Sequence, residues 1–225
     1  MANNQLGEKI HQLLQAHNLE NSLLLDHVLQ WGNPSYSTLL VKKLADFLHH
    51  LGVDIYDATM VDTPQRVVDL LLNNVFYGLN YNNFPKIILQ ENNYGYITPL
   101  VTYDIRVNST CEHHLVSIRG RCTISYIPQG VTMDSGKLIE IVDFFARRPQ
   151  VQERMTKQIL LVLQDILTTA DVAVAIKAVH DCVSKVGADG HDVMITSVEA
   201  GGKFDSDAIL RANFYQLAST MRWNS

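Results

Sequence analysis

The densest group of reactive side chains is Cys111-Glu112-His113-His114, which closes a run rich in strand-forming residues. Cys111 and His114 are three apart, so in one helical turn they project to the same side, a common spacing for two ligands of one zinc ion. A second group, His180-Asp181-Cys182, ends the strand-like run DVAVAIKAVHDCV. Residues two apart on a strand share a face, so His180 and Cys182 can both meet the first group. Cys111, His114 and Cys182 together make a soft three-ligand zinc site with the fourth position open, which is the catalytic rather than the closed structural arrangement. Such a metal brings the pKa of its water to about 7, and His113 and His180, each beside a ligand, are suited to move protons. Spacing alone leaves a second reading open, in which the cysteines are small buried residues and the histidines are ordinary core or surface groups. The third cysteine, Cys122, falls mid-strand and reads as packing.

Glu153 lies in the polar stretch RRPQVQER at the entrance to a helix. It either complements the helix dipole or accepts two hydrogen bonds from an amide-and-amine edge such as that of guanine, and spacing does not choose between these. Two other motifs fail. GVTMDSGK (130–137) has five residues between its glycines instead of the four of a P-loop, and Leu138 stands where Ser or Thr would hold magnesium. The His-x-Glu and Pro-Cys-x-x-Cys signature of zinc deaminases is absent.

The elements that must position these residues fall into two regions. Residues 1–93 read as helical: apolar spacing at 6–16, the run Leu39–Leu51, and a helix starting at Thr63-Pro64 with a hydroxyl cap and proline in its first turn. His49 and His50 sit near a helix C-terminus, where imidazoles are comfortable without a metal. Residues 94–225 read as strand, strand, helix (from Lys137), helix (about Val151 to Leu167), strand, strand and a closing helix with a capping serine at Ser206. The fold class is α+β, predominantly antiparallel, with both regions forming one integrated unit.

The chain has 225 residues, 47% hydrophobic and 18% charged, enough for one domain with a sizeable core and too apolar for wholesale disorder. A net charge of −5 argues against nucleic acid or an anionic membrane as partner. Neither a signal-peptide pattern nor a bilayer-spanning apolar run is visible, and an odd cysteine count is not a secreted disulfide framework, so a cytoplasmic protein is expected.

Taken together, STCEHHLVSIRG (109–120), IVDFFARRPQVQERMTKQI (141–159) and VAVAIKAVHDCV (172–183) resemble GTP cyclohydrolase I, with weaker agreement at TPQRV (63–67) and YGLNYNNFPKI (77–87). The resemblance implies a T-fold (tunnelling fold), an antiparallel sheet with two helices on one face, assembled into a homodecamer of two pentamers with active sites at subunit interfaces. It implies zinc on Cys111, His114 and Cys182, acid/base roles for His113 and His180, and guanine recognition by Glu153 supported by Gln152. The family reaction opens the imidazole ring of GTP at C8, releases formate and closes a pterin ring, giving 7,8-dihydroneopterin triphosphate.

The tail-binding positions depart from the family pattern. Where that pattern has Gly-Leu-Ser-Lys-x-x-Arg, this chain has Asp134-Ser135-Gly136-Lys137-Leu138-Ile139-Glu140, and a later arginine is replaced by Val186. Lys137 survives, and Arg66, Ser135 and Lys185 are the remaining candidates for tail contacts. The expected substrate is therefore a guanine-type compound without the triphosphate. GTP itself is the alternative, and a noncatalytic zinc-stabilised binding protein is a third reading.

Overall fold

A computed structural model describes residues 4–184 and 193–220. Helix α1 (Gln5–Ala16) is capped by Asn4, whose side chain accepts from the Gly7 amide, and buries Ile10 and Leu14, four apart on one face. Helix α2 (Pro34–His50) starts at the Asn33 cap with proline at its first position. In α3 (Thr63–Leu70) the expected threonine cap is not made. The flanking residue is Asp62, without a side-chain cap, and the Thr63 hydroxyl lies against Met60 Sδ.

The core sheet contains β1 (Leu100–Cys111), β2 (Ser117–Tyr126), β3 (Val172–His180) and β4 (Met194–Ala200), adjacent in that order and all antiparallel. Between β2 and β3 come α4 (Ser135–Ala146) and α5 (Gln152–Leu167), so the expected order of strands and helices is the observed one. A two-residue bridge, Pro149–Gln150, pairs parallel with the end of β1 and sets Gln150 opposite Cys111. Helix α6 (Ala208–Ser219) closes the described chain. Its cap is Asp207, accepting from the amides of Ile209 and Leu210, whereas Ser206 ends a separate turn, Lys203–Ser206.

Both faces of the sheet are covered, and β3 shows how. Val172, Val174, Ile176 and Ala178 join the main core with Met155, Ile159, Val162 and Leu163 of α5, while Ala173 and Ala175 face Phe204, Phe214 and Ala218. This two-residue alternation against a helix on each side is why the strand reads as continuously apolar. Complete burial of each large side chain contributes about 1.5–3 kcal/mol, so α5 is fixed mainly by this stripe. Cys122 belongs to the same core at 0% exposure, and burial raises its thiol pKa well above the ordinary range, in keeping with a packing role.

The N-terminal segment is locked to α4 by a close approach and a buried cation. A Cβ at Gly78 would lie 1.9 Å from the Phe144 carbonyl oxygen, so only glycine fits, and its amide donates to Arg147 O at 2.7 Å. Arg148 is fully buried. It donates to Asn21 Oδ1, Tyr81 Oη and Gly78 O, and stands 3.5 Å from Glu20. Asn21 in turn donates to Pro149 O, which fixes the bridge beside Cys111. No described helix is long and apolar enough to cross a membrane.

Candidate metal centre and active site

Cys111 is the last residue of β1, and the chain turns back on it within four residues. The Leu115 amide donates to Cys111 O and the Cys111 amide to Val116 O, both at 2.8 Å, with Leu115 in the left-handed region at φ 54°. This single helical-type turn brings Cys111 Sγ to 3.9 Å from His114 Nδ1, as the three-residue spacing predicts.

The expectation for Cys182 is corrected in its reason and kept in its partners. β3 ends at His180, and Asp181–Ser184 is a helical turn, so Cys182 does not share a strand face with His180. The turn is anchored by Asp181, which accepts from Ser117 Oγ at 2.6 Å and from Arg119 at 3.1 Å. Those partners are in reach because Ile118 pairs with His180 across the antiparallel strands. The ligand atoms of Cys111, His114 and Cys182 all lie within 4.8 Å of one another. Tetrahedral zinc with bonds of about 2.0–2.3 Å wants separations of about 3.5–3.8 Å, so the set fits after small side-chain adjustments. Burial and the facing Cys111 thiol raise the Cys182 pKa.

The histidines flank this cluster. His113 is largely exposed, its Nε2 3.7 Å from Glu112 Oε1, and borders a polar cavity of about 320 Å³ lined also by Asn21, Ser22, Leu79, Glu112 and Pro149. His180 Nε2 is 2.8 Å from Gln152 Oε1. Burial lowers the His180 pKa, and the nearby Glu153 carboxylate opposes that shift. Glu153 is exposed in the first turn of α5, while Gln152 is completely buried, its amide committed to β3 and β4. Gln152 therefore touches His180 and the sheet and has no exposed edge to offer a ligand.

Sequence reasoning missed the groups that hold the cluster in place. Arg154 reaches back from α5 to the Glu112 carboxylate and to Gln150 Oε1, clamping the turn after Cys111 against the bridge. Glu112 lay within the singled-out motif and was the available signal. The roles of Asp181 and of Ser197, a β4 residue whose hydroxyl lies 3.0 Å from the Gln152 amide nitrogen, depend on strand register, which had no local signature.

Two of the tail candidates, Ser135 and Lys137, are not brought to this cluster within one chain. Tyr126, at the opposite end of β2, bonds through its hydroxyl to the backbone of Met133, and α4 starts there. Ser135 and Lys137 thus occupy the far end of a helix about 18 Å long, whose near end leads to Gln150 beside Cys111. Lys137 Nζ is bonded to both carboxylate oxygens of Glu140 at 2.8 Å, and Asp134 Oδ1 accepts from Gly136 N at 2.7 Å, so carboxylates occupy the start of α4. Arg66 is exposed and paired with Asp62 at 3.0 Å. Lys185 and Val186 lie outside the described residues.

The family model for GTP cyclohydrolase I matches residues 40–219. The chain belongs to the GTP cyclohydrolase I family. It is 40% identical over 208 residues to GTP cyclohydrolase 1 of Yersinia pseudotuberculosis, covering 92% of this chain and 93% of that one. It is 43% identical over 175 residues to the Shewanella denitrificans enzyme of that name, covering 78% and 81%. The Escherichia coli protein of that name is 39% identical over 205 residues, covering 91% and 92%. Among solved structures, archaeosine synthase QueF-like in the apo form aligns with 47% of this chain and 94% of its own, at 19% identity and a TM-score of 0.36. The α+β architecture, with α4 and α5 on one face of the antiparallel sheet, is the T-fold expected of the family.

Proposed function

We propose that this family member is a zinc-dependent hydrolase that opens the imidazole ring of a guanine-type purine at C8, releasing formate, and that its substrate lacks the triphosphate. Cys111, His114 and Cys182 would hold the zinc, which when bound supplies a water that deprotonates near neutral pH. Glu153 accepts the donors of the guanine edge, since an ionised carboxylate offers only acceptors. His180, beside Glu153, and His113, on the polar cavity, take and return protons at the opening ring. Arg154 keeps the turn carrying His113 against the bridge.

The observation that carries the choice of substrate is the pairing of Lys137 with Glu140. The lysine that a triphosphate would need is already neutralised by a carboxylate standing where the family has arginine. A charge pair about 5 Å apart at an effective dielectric of about 20 is worth roughly 3 kcal/mol. Screening at this exposed position reduces that toward about 1 kcal/mol, yet a tail carrying several negative charges meets the penalty repeatedly.

The separation between the cluster and the start of α4 supports a site assembled from more than one copy. The sheet supports it too, because β4 pairs only with β3, and β1 is covered on its outer edge only at Thr110 and Cys111, among the described residues. We assign the assembly to a homodecamer, a dimer of pentamers with interfacial sites, and its place to the cytoplasm. GTP turnover to 7,8-dihydroneopterin triphosphate is the competing reading, favoured by the near-full-length identity to proteins named GTP cyclohydrolase 1. The test is metal analysis with a formate-release screen over GTP, GMP, guanosine and guanine. About one zinc per chain with turnover of the uncharged compounds is expected. Efficient pterin formation from GTP, with no turnover of guanosine, would replace this reading with the competing one.

A further inference from the structure

We infer that Gln152 is a positioning residue that fixes the tautomer of His180, with the proton on Nε2 and Nδ1 as the basic nitrogen. This deepens the functional reading above and rests on it for the role of His180, but the tautomer assignment follows from hydrogen-bond direction alone. The chain of bonds starts at Thr156. Its hydroxyl donates to the main-chain oxygen of Gln152 at 2.9 Å, which uses its only proton. The 2.6 Å contact between Thr156 Oγ1 and Ser197 Oγ must then have Ser197 as donor, which leaves the Ser197 oxygen to accept. Ser197 Oγ lies 3.0 Å from Gln152 Nε2, and the carbonyl oxygens of Ile176 and Ile195 lie 3.0 and 3.2 Å from the same nitrogen.

Three acceptors surround one end of the side-chain amide, and two of them are main-chain carbonyls that can never donate. The amide therefore cannot be flipped, because its oxygen would face those carbonyls without a hydrogen between them. The other end, Oε1, is 2.8 Å from His180 Nε2 and is an obligatory acceptor, so the neutral ring must carry its proton there. Gln152 has 0% exposure, and Thr156 and Ser197 are buried with it, so water does not relax these directions. The carbonyls come from β3 and β4, the glutamine from the first turn of α5, and the histidine from the end of β3. The proton on His180 is thus set by the docking of a helix on two strands.

The test is nitrogen-15 NMR of histidine-labelled protein, with the His180 signals identified by their loss in His180→Asn. The expected spectrum has a protonated, pyrrole-type Nε2 and a pyridine-type Nδ1 in both the metal-free and the zinc-loaded protein. Ser197→Ala leaves that pattern in place, because the two carbonyls still orient the amide. Gln152→Met, similar in length but unable to accept from the ring, gives a mixture of tautomers, with formate release falling at least tenfold in kcat at little change in KM. A pyridine-type Nε2 in the parent protein, or an unchanged spectrum in folded Gln152→Met, overturns the inference. If Gln152→Met does not fold, the parent spectrum alone decides it. The catalytic reading fails separately, if His180→Asn leaves formate release intact while the parent tautomer is as assigned.

Discussion

The two ends of the sheet differ in how their charges are arranged. At the Cys111 end, the ligand atoms of two cysteines and an imidazole converge within 4.8 Å of one another, and the flanking polar groups are clamped from outside by Arg154 and Arg119. At the Tyr126 end, where α4 begins, the lysine that could serve an anionic tail is closed on Glu140, and Asp134 takes the Gly136 amide. One end gathers three side chains of metal-ligating type, and the other has its lysine already paired with a carboxylate. Under the proposed function, ring opening and tail recognition fall to different ends of the fold, with the length of α4 between them within one chain.

The comparison breaks most completely if the ligands are removed. Cys111→Ser and Cys182→Ser should each lose bound zinc and more than about 10³-fold of any formate release, because two remaining protein ligands do not hold the ion. Metal analysis on the purified variants, with circular dichroism to show the fold retained, checks this. A zinc content equal to the parent would mean that the convergence at this end has another purpose.

Next in size are His113→Ala and His180→Ala. Each should keep its zinc and lose about 10²–10⁴-fold in kcat, the usual range for a proton-transfer group. Steady-state kinetics with parallel metal analysis separates them from the cysteine variants. Loss of zinc in either would make that histidine a ligand.

Much of the geometry at the Cys111 end was legible in the sequence, and the reasons are local. Cys111 and His114 sit in one turn, so their spacing translates directly into proximity. Cys182 joins them for a different reason from the one its spacing suggests: the strand stops at His180, and Asp181, held by Ser117 and Arg119, turns the chain so that the sulfur swings toward Cys111. Gln152 was not legible as a buried positioning group. Its partners on β3 and β4 are 24, 43 and 45 residues away, and only strand register brings them together. The fold order was readable from apolar periodicity, whereas the cap expected at Ser206 falls one residue later, at Asp207, and the helix at Thr63 has no side-chain cap at all.

The smallest expected effect sharpens the other end. Gly136→Ser, Glu140→Arg and Val186→Arg together should raise kcat/KM for GTP by about tenfold or more and leave guanosine unaffected. A Cβ at Gly136 meets only Asp134 Oδ1, at 2.8 Å, the tip of a side chain that can rotate away, so the serine can be accommodated. Glu140→Arg also releases Lys137 from its carboxylate. Competition assays with both substrates report the change, and an unaltered GTP value would mean that these positions do not meet the tail.

The most direct test of the separation is the ratio of kcat/KM for formate release from GTP and from guanosine by the zinc-loaded protein, measured at low and at physiological ionic strength. The account predicts that guanosine is used at least as well as GTP, with GTP improving as salt screens the carboxylates at the start of α4. A GTP value exceeding that of guanosine by a hundredfold or more, and falling as salt rises, would contradict it.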